Sequence, residues 1–444
     1  MIPRAFRKRG TTMIHENRPW FLLFLGIFLL FACVSPGATD AGAAEVTLAP
    51  PRGPVPGTFF GMHIHRAGST AWPAAPFASW RFWDTYSVWP WLEPVKGEWH
   101  FERLDKLVSL AEEHRVEVLL PLALSPEWAS ARPREKSAYG LGMAAEPRNI
   151  EDWRNYVTAV GKRYRGRIRY YENWNEPNLK NFYSGDLTGM LALSREAYNV
   201  LKGIDPENVI VSPSPSGGYK ETAYKWLDDF LSKGGGDFAD VIGYHFYVAP
   251  GPPELMAAEI ARVREIMGRH GLRDKPLWNT ESGWFIDNRQ TPVKPTPSGS
   301  KSKVLDADEA AAYVARAHLI GWASGVDRFY YYAWDNKEMG LVEPDGKTLK
   351  PAAVAYKVIS DWIVGATMKS CRSTKEGTWI CELVRENGYF GWILWHPSRT
   401  GTYRYSDNWK IVQARKLDGT RRDMTSEKAV EIGPAPVLVE NQAK

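Results

Sequence analysis

Two glutamates frame the chemistry this chain could do. Glu176 lies in Trp174-Asn175-Glu176-Pro177-Asn178 and Glu281 in Trp278-Asn279-Thr280-Glu281-Ser282-Gly283, each closing an apolar, strand-like run, 105 residues apart. Paired carboxylates are what glycoside hydrolysis uses, one to carry a proton and one to attack or to activate water. A (β/α)₈ barrel spends roughly 30–35 residues on each strand-helix unit, so this separation is about three units and places the pair on strands 4 and 7.

Glu172 shares the strand-4 parity of Glu176. Four residues of strand span about 13 Å, beyond the ~5–5.5 Å of a retaining pair and the ~6.5–9.5 Å of an inverting pair. Glu172 is therefore assigned to a polar network inside the barrel. In strand 7, alternation turns Leu277, Asn279 and Glu281 one way and Trp278 and Thr280 the other. Pro177 is expected to push Glu176 into an extended backbone, because the residue before proline avoids the helical region. Asn175 can donate two hydrogen bonds to a sugar hydroxyl.

Other runs end in polar groups at similar depth. Strand 6 brings His245 and Tyr247 to one face, strand 2 carries Arg81 among tryptophans, and strand 1 alternates His63 and His65 with Met62 and Ile64. The chain has 20 tryptophans, and an indole face suits the C–H face of a sugar ring. Trp334, at the end of strand 8, is the expected stacking floor.

The order of elements supplies the positioning. Strands are expected at 59–65, 79–84, 116–124, 168–176, 209–212, 241–247, 276–281 and 328–334, with helices at 102–114, 151–164, 188–203, 220–232, 254–270 and 307–324. Asp306 with Glu309 has capping-box spacing, and Gly325 is a terminating glycine. The fold class is thus α/β, a (β/α)₈ TIM barrel over residues 45–365, followed by a small β-sandwich-like domain over 366–444. The stretch 289–303, rich in Pro, Ser, Thr and Lys, reads as a loop over the barrel mouth that could act as a wall or lid.

Residues 1–44 hold a basic start (Arg4, Arg7, Lys8, Arg9), a 15-residue apolar run from Trp20 to Val34, and small residues up to Ala44. This is a secretory signal peptide by pattern, with an uncleaved N-terminal anchor as the alternative. The run is shorter than the ~20 residues of a spanning helix. Leu30-Phe31-Ala32-Cys33 loosely matches a lipoprotein box, apart from bulky Phe31. Export fits the cysteines: Cys371 and Cys381 stand ten apart in an expected hairpin, where an oxidising compartment would let them pair. The leader contributes five Lys/Arg against two acids, so the overall +5 falls to about +2 without it; nucleic-acid binding gains no support.

No zinc-spaced Cys/His cluster, His-Glu-x-x-His or phosphate-binding glycine loop occurs in the sequence. No cofactor and no metal are expected. His63-Ile64-His65 leaves a metal-dependent barrel hydrolase as a rival.

The two glutamate motifs, with Phe59-Phe60-Gly61, Trp80-Arg81-Phe82-Trp83-Asp84 and Leu92-Glu93-Pro94 followed by Gly97, resemble the clan of retaining barrel glycosidases, and within it glycoside hydrolase family 39, over residues 57–360. The resemblance implies that Glu176 is the general acid/base, Glu281 the nucleophile, Asn175 a ligand of the sugar 2-hydroxyl, and His245 or Tyr247 a hydrogen-bond partner near the nucleophile. It implies a retaining, two-step reaction on a polysaccharide or oligosaccharide, in the style of bacterial exopolysaccharide-associated endoglycosidases. An adjacent Arg81 would keep Glu281 charged, and that charge would help hold a proton on Glu176. The expected setting is secreted or periplasmic, as a monomer, with the membrane touched only through an anchor or lipid on the leader. A barrel that binds carbohydrate without turnover is the rival from another class.

Overall fold

The computed structural model describes residues 45–294 and 303–443. The signal-peptide or anchor segment 1–44, Cys33 included, and the centre of the 289–303 loop lie outside the described residues. Among those described, no helix is long and apolar enough to cross a membrane.

Eight short parallel strands appear in the expected places: β1 Phe60–Met62, β2 Ser79–Arg81, β3 Glu117–Leu122, β4 Tyr170–Asn173, β5 Val209–Val211, β6 Ile242–Tyr244, β7 Leu277–Ser282 and β8 Arg328–Tyr331. They pair in the order β5-β4-β3-β2-β1-β8-β7-β6. A parallel bridge between Val211 and Val241 closes the remaining gap. Apart from a single helical turn at Trp89–Leu92, the α-helices among the described residues are α1 Glu102–Glu113, α2 Ile150–Arg163, α3 Leu187–Ile204, α4 Lys220–Ser232, α5 Met256–Arg269, α6 Ala307–Ala323 and α7 Pro351–Ile363.

Local chemistry sets several of these boundaries. Asp306 Oδ1 accepts from the Glu309 amide at 2.8 Å to start α6, and Gly325 takes φ 86° just beyond its end, as the sequence signals require. Asp186 caps α3 in the same way through Gly189 N, at 2.7 Å. One feature differs from expectation: α7, opened by Pro351 at its first turn, follows β8 where no helix was assigned, while residues 63–78 between β1 and β2 carry no helix, and none was assigned there.

Leu119, Val211, Val241, Trp278 and Tyr330 pack into a plug inside the barrel. The Arg328 guanidinium lies over the Tyr170 and Trp278 rings at 4.3 and 4.4 Å. Each buried ring removes on the order of 200 Å² from water, worth about 5 kcal/mol at ~25 cal/mol/Å² before entropy is counted. The plug fills the barrel beneath the polar layer at the strands' C-terminal ends. Gly61 is required here, since a Cβ would lie 2.6 Å from the Tyr330 ring.

Beyond α7 the chain forms β9 Thr367–Ser373, β10 Trp379–Val384, β11 Phe390–Trp395, β12 Gly401–Arg404, β13 Gln413–Arg415, β14 Arg421–Asp423, β15 Ala429–Ile432 and β16 Val437–Glu440. The main antiparallel sheet runs Thr47–Leu48, β9, β10, β11, β16, β13, β14, while β12 and β15 form a separate ribbon. Ribbon residues Val430 and Ile432 share a core with Trp392 and Leu394, so the second layer of the sandwich is reduced to two strands. Thr47 and Leu48 pair with Arg372 and Cys371. The sheet is therefore built from both sides of the barrel sequence, which a barrel spanning 45–365 did not provide for. Cys371 faces Cys381 across β9 and β10, and a disulfide joins them.

Candidate active site

Glu176 follows β4 through a short, tightly held turn. Trp174 N donates to Leu122 O at 2.8 Å, its indole is buried and donates to Phe182 O, and Asn175 bridges to Ser214. Both Trp174 and Glu176 are left-handed, with φ 65° and 47°. The extended backbone expected of Glu176 before Pro177 is thus corrected: Glu176 N donates to Ser214 O and its carbonyl accepts from Leu179 N, both at 3.0 Å, and these contacts hold a conformation that costs on the order of 1–3 kcal/mol.

The strand-7 parity is corrected as well. Trp278 packs in the barrel plug and Thr280 Oγ1 donates to Ser214 Oγ inside the barrel at 2.9 Å, so those two face inward. Phe329 pairs with Asn279 but Tyr331 pairs with Ser282, which inserts one extra residue in β7. This bulge turns Glu281 to the same side as Thr280, a common use of bulges beside functional sites. Only glycine fits at position 283, because a Cβ there would lie 2.0 Å from the Tyr332 carbonyl.

Arg81, fully buried, organises the layer. Its Nε donates to Glu172 at 2.6 Å, Nη1 to Glu281 at 2.8 Å and Nη2 to Asn175 Oδ1 at 2.7 Å. Ser214 Oγ donates to the other oxygen of Glu172 at 2.5 Å. Glu172 is thereby the paired interior carboxylate, and the network ties β2, β4, β7 and the segment after β5 together. Tyr247 OH donates to Glu281 Oε1 at 2.9 Å, and His245 Nδ1 lies 3.1 Å from Glu176 Oε1 and 4.0 Å from Glu281 Oε1. The ligand atoms of Glu176, His245 and Glu281 all lie within 4.8 Å of one another.

Burial pushes both carboxyls up, Glu176 to about 7 and Glu281 to about 7. Their contacts divide them. Glu281 touches the Arg81 cation and a tyrosine held protonated by burial and by Glu281 itself, while the neighbour of Glu176 is His245, which burial lowers to about 4 and which is neutral at pH 7. A single proton shared by the pair therefore resides on Glu176, and the charge on Glu281.

No family profile matches the chain. A β-xylosidase of Geobacillus stearothermophilus is 24% identical over 273 residues, 54% of this chain and 50% of that protein, so the chain spans about half the length of that relative. A family 39 glycoside hydrolase from Bacteroides cellulosilyticus superposes with TM-score 0.66 at 19% identity, covering 86% of this chain and 80% of the other. A family 39 β-xylosidase from Caulobacter crescentus gives TM-score 0.62 at 18% identity, over 89% and 99%. The chain has the fold of the family 39 glycoside hydrolases.

Within this family 39 fold the remaining candidates separate. His63 Nε2 is 3.0 Å from Thr280 O; burial, then Arg81, pull its pKa well down. His65 Nε2 lies 3.8 Å from Asp84. Neither belongs to the grouping of three potential ligands found among the described residues, which is Glu176, His245 and Glu281; a cation there would have to sit beside the Arg81 charge. Trp334 is only 2% exposed and packs in the hydrophobic core, so the stacking floor expected of it is corrected: no ring face is open to a sugar. Three residues join the site without having been assigned to it from the sequence. Asp84, at φ 59°, accepts from Tyr139 OH at 2.5 Å and from Tyr332 OH at 2.6 Å. A carboxylate closing the expected strand 2, three residues after Arg81, was the signal available.

Proposed function

We propose that the protein is a retaining glycoside hydrolase acting on a polysaccharide or oligosaccharide, with Glu281 as nucleophile and Glu176 as general acid/base. The observation that carries this reading is the carboxylate pair itself: one oxygen of each lies within 4.8 Å of the other, the close approach expected of a retaining pair at ~5–5.5 Å. The fold shared with family 39 enzymes and the β-xylosidase names of its relatives support it.

In the first step a Glu281 oxygen bonds to the anomeric carbon as the glycosidic C–O bond breaks, and the Glu176 proton passes to the departing oxygen. Forming the ester removes the Glu281 charge, so Glu176 becomes free to take a proton from water. That water attacks the anomeric carbon, the ester bond breaks, and both carboxyls return to their starting state. Asn175 Nδ2, buried and without a partner among the described residues, supplies a donor for the sugar 2-hydroxyl. Tyr247 and Arg81 hold Glu281 in line.

The finer reading is an exported endoglycosidase of exopolysaccharide, working as a monomer in the periplasm or outside the cell. The leader pattern and the Cys371–Cys381 disulfide support export. Proton NMR of the first sugar released from a panel of 4-nitrophenyl glycosides tests the mechanism. Retention of the anomeric configuration is expected. Inversion overturns the double displacement, and no turnover on any glycoside or oligosaccharide overturns the enzyme reading in favour of a binding barrel.

A further inference from the structure

Asp84 stands outside the roles assigned so far, yet it is the most open carboxylate of the mouth: its side chain is 22% exposed. Three separate stretches of chain converge on it. Tyr139, from the segment between β3 and α2, and Tyr332, just after β8, each direct their hydroxyl at its two oxygens, at 2.5 and 2.6 Å. His65, just after β1, approaches from the third side at 3.8 Å.

This geometry fixes the hydrogen-bonding character of the wall. A phenol has one proton, and both tyrosines give theirs to Asp84, so each hydroxyl oxygen is left as an acceptor. The Asp84 oxygens are acceptors throughout. His65 Nε2 makes no hydrogen bond among the described residues, and burial lowers the pKa of that ring, which keeps it uncharged. The cations nearest the wall have partners: Arg81 uses Nε, Nη1 and Nη2 on Glu172, Glu281 and Asn175, Arg66 binds the Asp335 and Pro344 carbonyls, and Arg103, over the Tyr86 ring, donates its Nε to the Thr85 carbonyl.

Beside the wall, Trp83, Tyr86, Trp91, Leu124 and Tyr139 line a narrow apolar crevice of about 10 Å³, room for a single water. Asp84, Tyr86 and Leu124 along it all have positive φ, at 59°, 54° and 66°. Left-handed non-glycine residues are costly and gather at ligand sites. The crevice is too small for a sugar ring, but Tyr86 at its rim is exposed, and an aromatic ring there suits the C–H face of a sugar whose edge meets the polar wall.

We infer that Asp84, with Tyr139 and Tyr332, forms the selecting wall of a sugar subsite beside Glu176 and Glu281, one that accepts hydroxyl or ammonium donors and rejects glycans carrying carboxylates. The substrate class is then a neutral or amino-sugar glycan, and uronates are excluded. This rests on the glycosidase reading for its relevance to turnover, while the binding preference stands on its own. A substrate carboxylate placed here would meet the carboxylates of Asp84 and Glu281, with the Arg81 cation already held by three partners; like-charge juxtaposition costs several kcal/mol.

Binding of the full chain to matched soluble oligosaccharides tests it: xylo-, manno- and cello-oligosaccharides, chitosan oligomers, and the anionic oligogalacturonates and oligomannuronates, read by saturation-transfer NMR and fluorescence titration. A neutral or aminated series should bind at least tenfold more tightly than its anionic counterpart. Asp84→Asn, which keeps the shape and can still pair with both hydroxyls, should narrow that ratio severalfold. Tyr139→Phe, which leaves Asp84 less neutralised, should widen it. Equal or tighter binding of the anionic series, a ratio unmoved by Asp84→Asn, or no binding by any neutral or aminated series overturns the inference. A chain that binds neutral glycans without cleaving them would sink the enzyme reading and leave this one intact; a chain that cleaves uronides would do the reverse.

Discussion

Arg81 Nη1 donates to Glu281 Oε2 at 2.8 Å, and no comparable cation touches Glu176 among the described residues. This asymmetry makes two glutamates of similar burial chemically different. The paired one stays charged and can attack; the other holds the proton.

Arg81→Lys places one ammonium where three nitrogens now reach Glu172, Glu281 and Asn175. Losing the contact to Glu281 raises the pKa of its carboxyl, so the ionised nucleophile appears only at higher pH. The acid limb of the kcat/KM profile should move up by about one unit, with activity down ~100-fold. An unmoved acid limb would show that Arg81 does not govern the charge on Glu281. Arg81→Ala, which leaves buried carboxylates unpaired, should cost about 3–5 kcal/mol of stability.

Glu176 and Glu281 are raised by burial from 4.5 to about 7. A group raised on folding holds a proton that the unfolded chain releases, so its contribution to stability is full below about pH 4.5 and is lost as pH rises through 7. Glu176→Gln, neutral at every pH, should therefore be more stable than the native protein at pH 8, by up to about 3 kcal/mol and with a higher Tm, and differ little from it at pH 5. Equal Tm shifts at the two pH values would contradict the raised carboxyl.

Glu176→Ala removes the proton donor and leaves room for a small anion. Glycosides with good leaving groups should lose little in the first step, while those with poor ones should fall by about 10²–10⁴. Azide should restore turnover and appear in the product as a glycosyl azide of retained configuration. Equal losses on both substrate types, without azide rescue, would remove Glu176 from the acid/base role.

Trp334 is a core residue by its burial. Trp334→Phe should leave KM within about twofold, and Trp334→Ala should lower stability by about 3–5 kcal/mol. A sugar-stacking role would show the opposite, a raised KM at unchanged stability.

Much of this was legible because the strands that carry the site are short apolar runs ending in polar residues, separated by amphipathic stretches of helix length. That pattern located all eight strands and brought Arg81, Asn175, Glu176, His245, Tyr247 and Glu281 to one end of the barrel. What the pattern could not carry were the facts that depend on a partner chain segment. The bulge that turns Glu281 inward exists only against Phe329 and Tyr331 of β8, and strict alternation put Trp278 and Glu281 on opposite faces for that reason. The left-handed Glu176 is set by Ser214, some 38 residues on. Tyr139 and Tyr332 look like ordinary barrel aromatics until their hydroxyls are seen to meet on Asp84. Trp334 sits at the end of a strand, a natural position for a platform, but the loop after β8 folds over it: Val342 N donates to its carbonyl at 3.1 Å.

Covalent bonding of Glu281 to the sugar is the step on which the mechanism turns. Incubating the protein with activated 2-fluoro-glycosides of neutral sugars, followed by proteolysis and mass spectrometry, measures this directly. One fluoroglycosyl adduct per chain is predicted, on the peptide containing Trp278-Asn279-Thr280-Glu281, and none in Glu281→Gln. An adduct on Glu176 or on any other residue would contradict it.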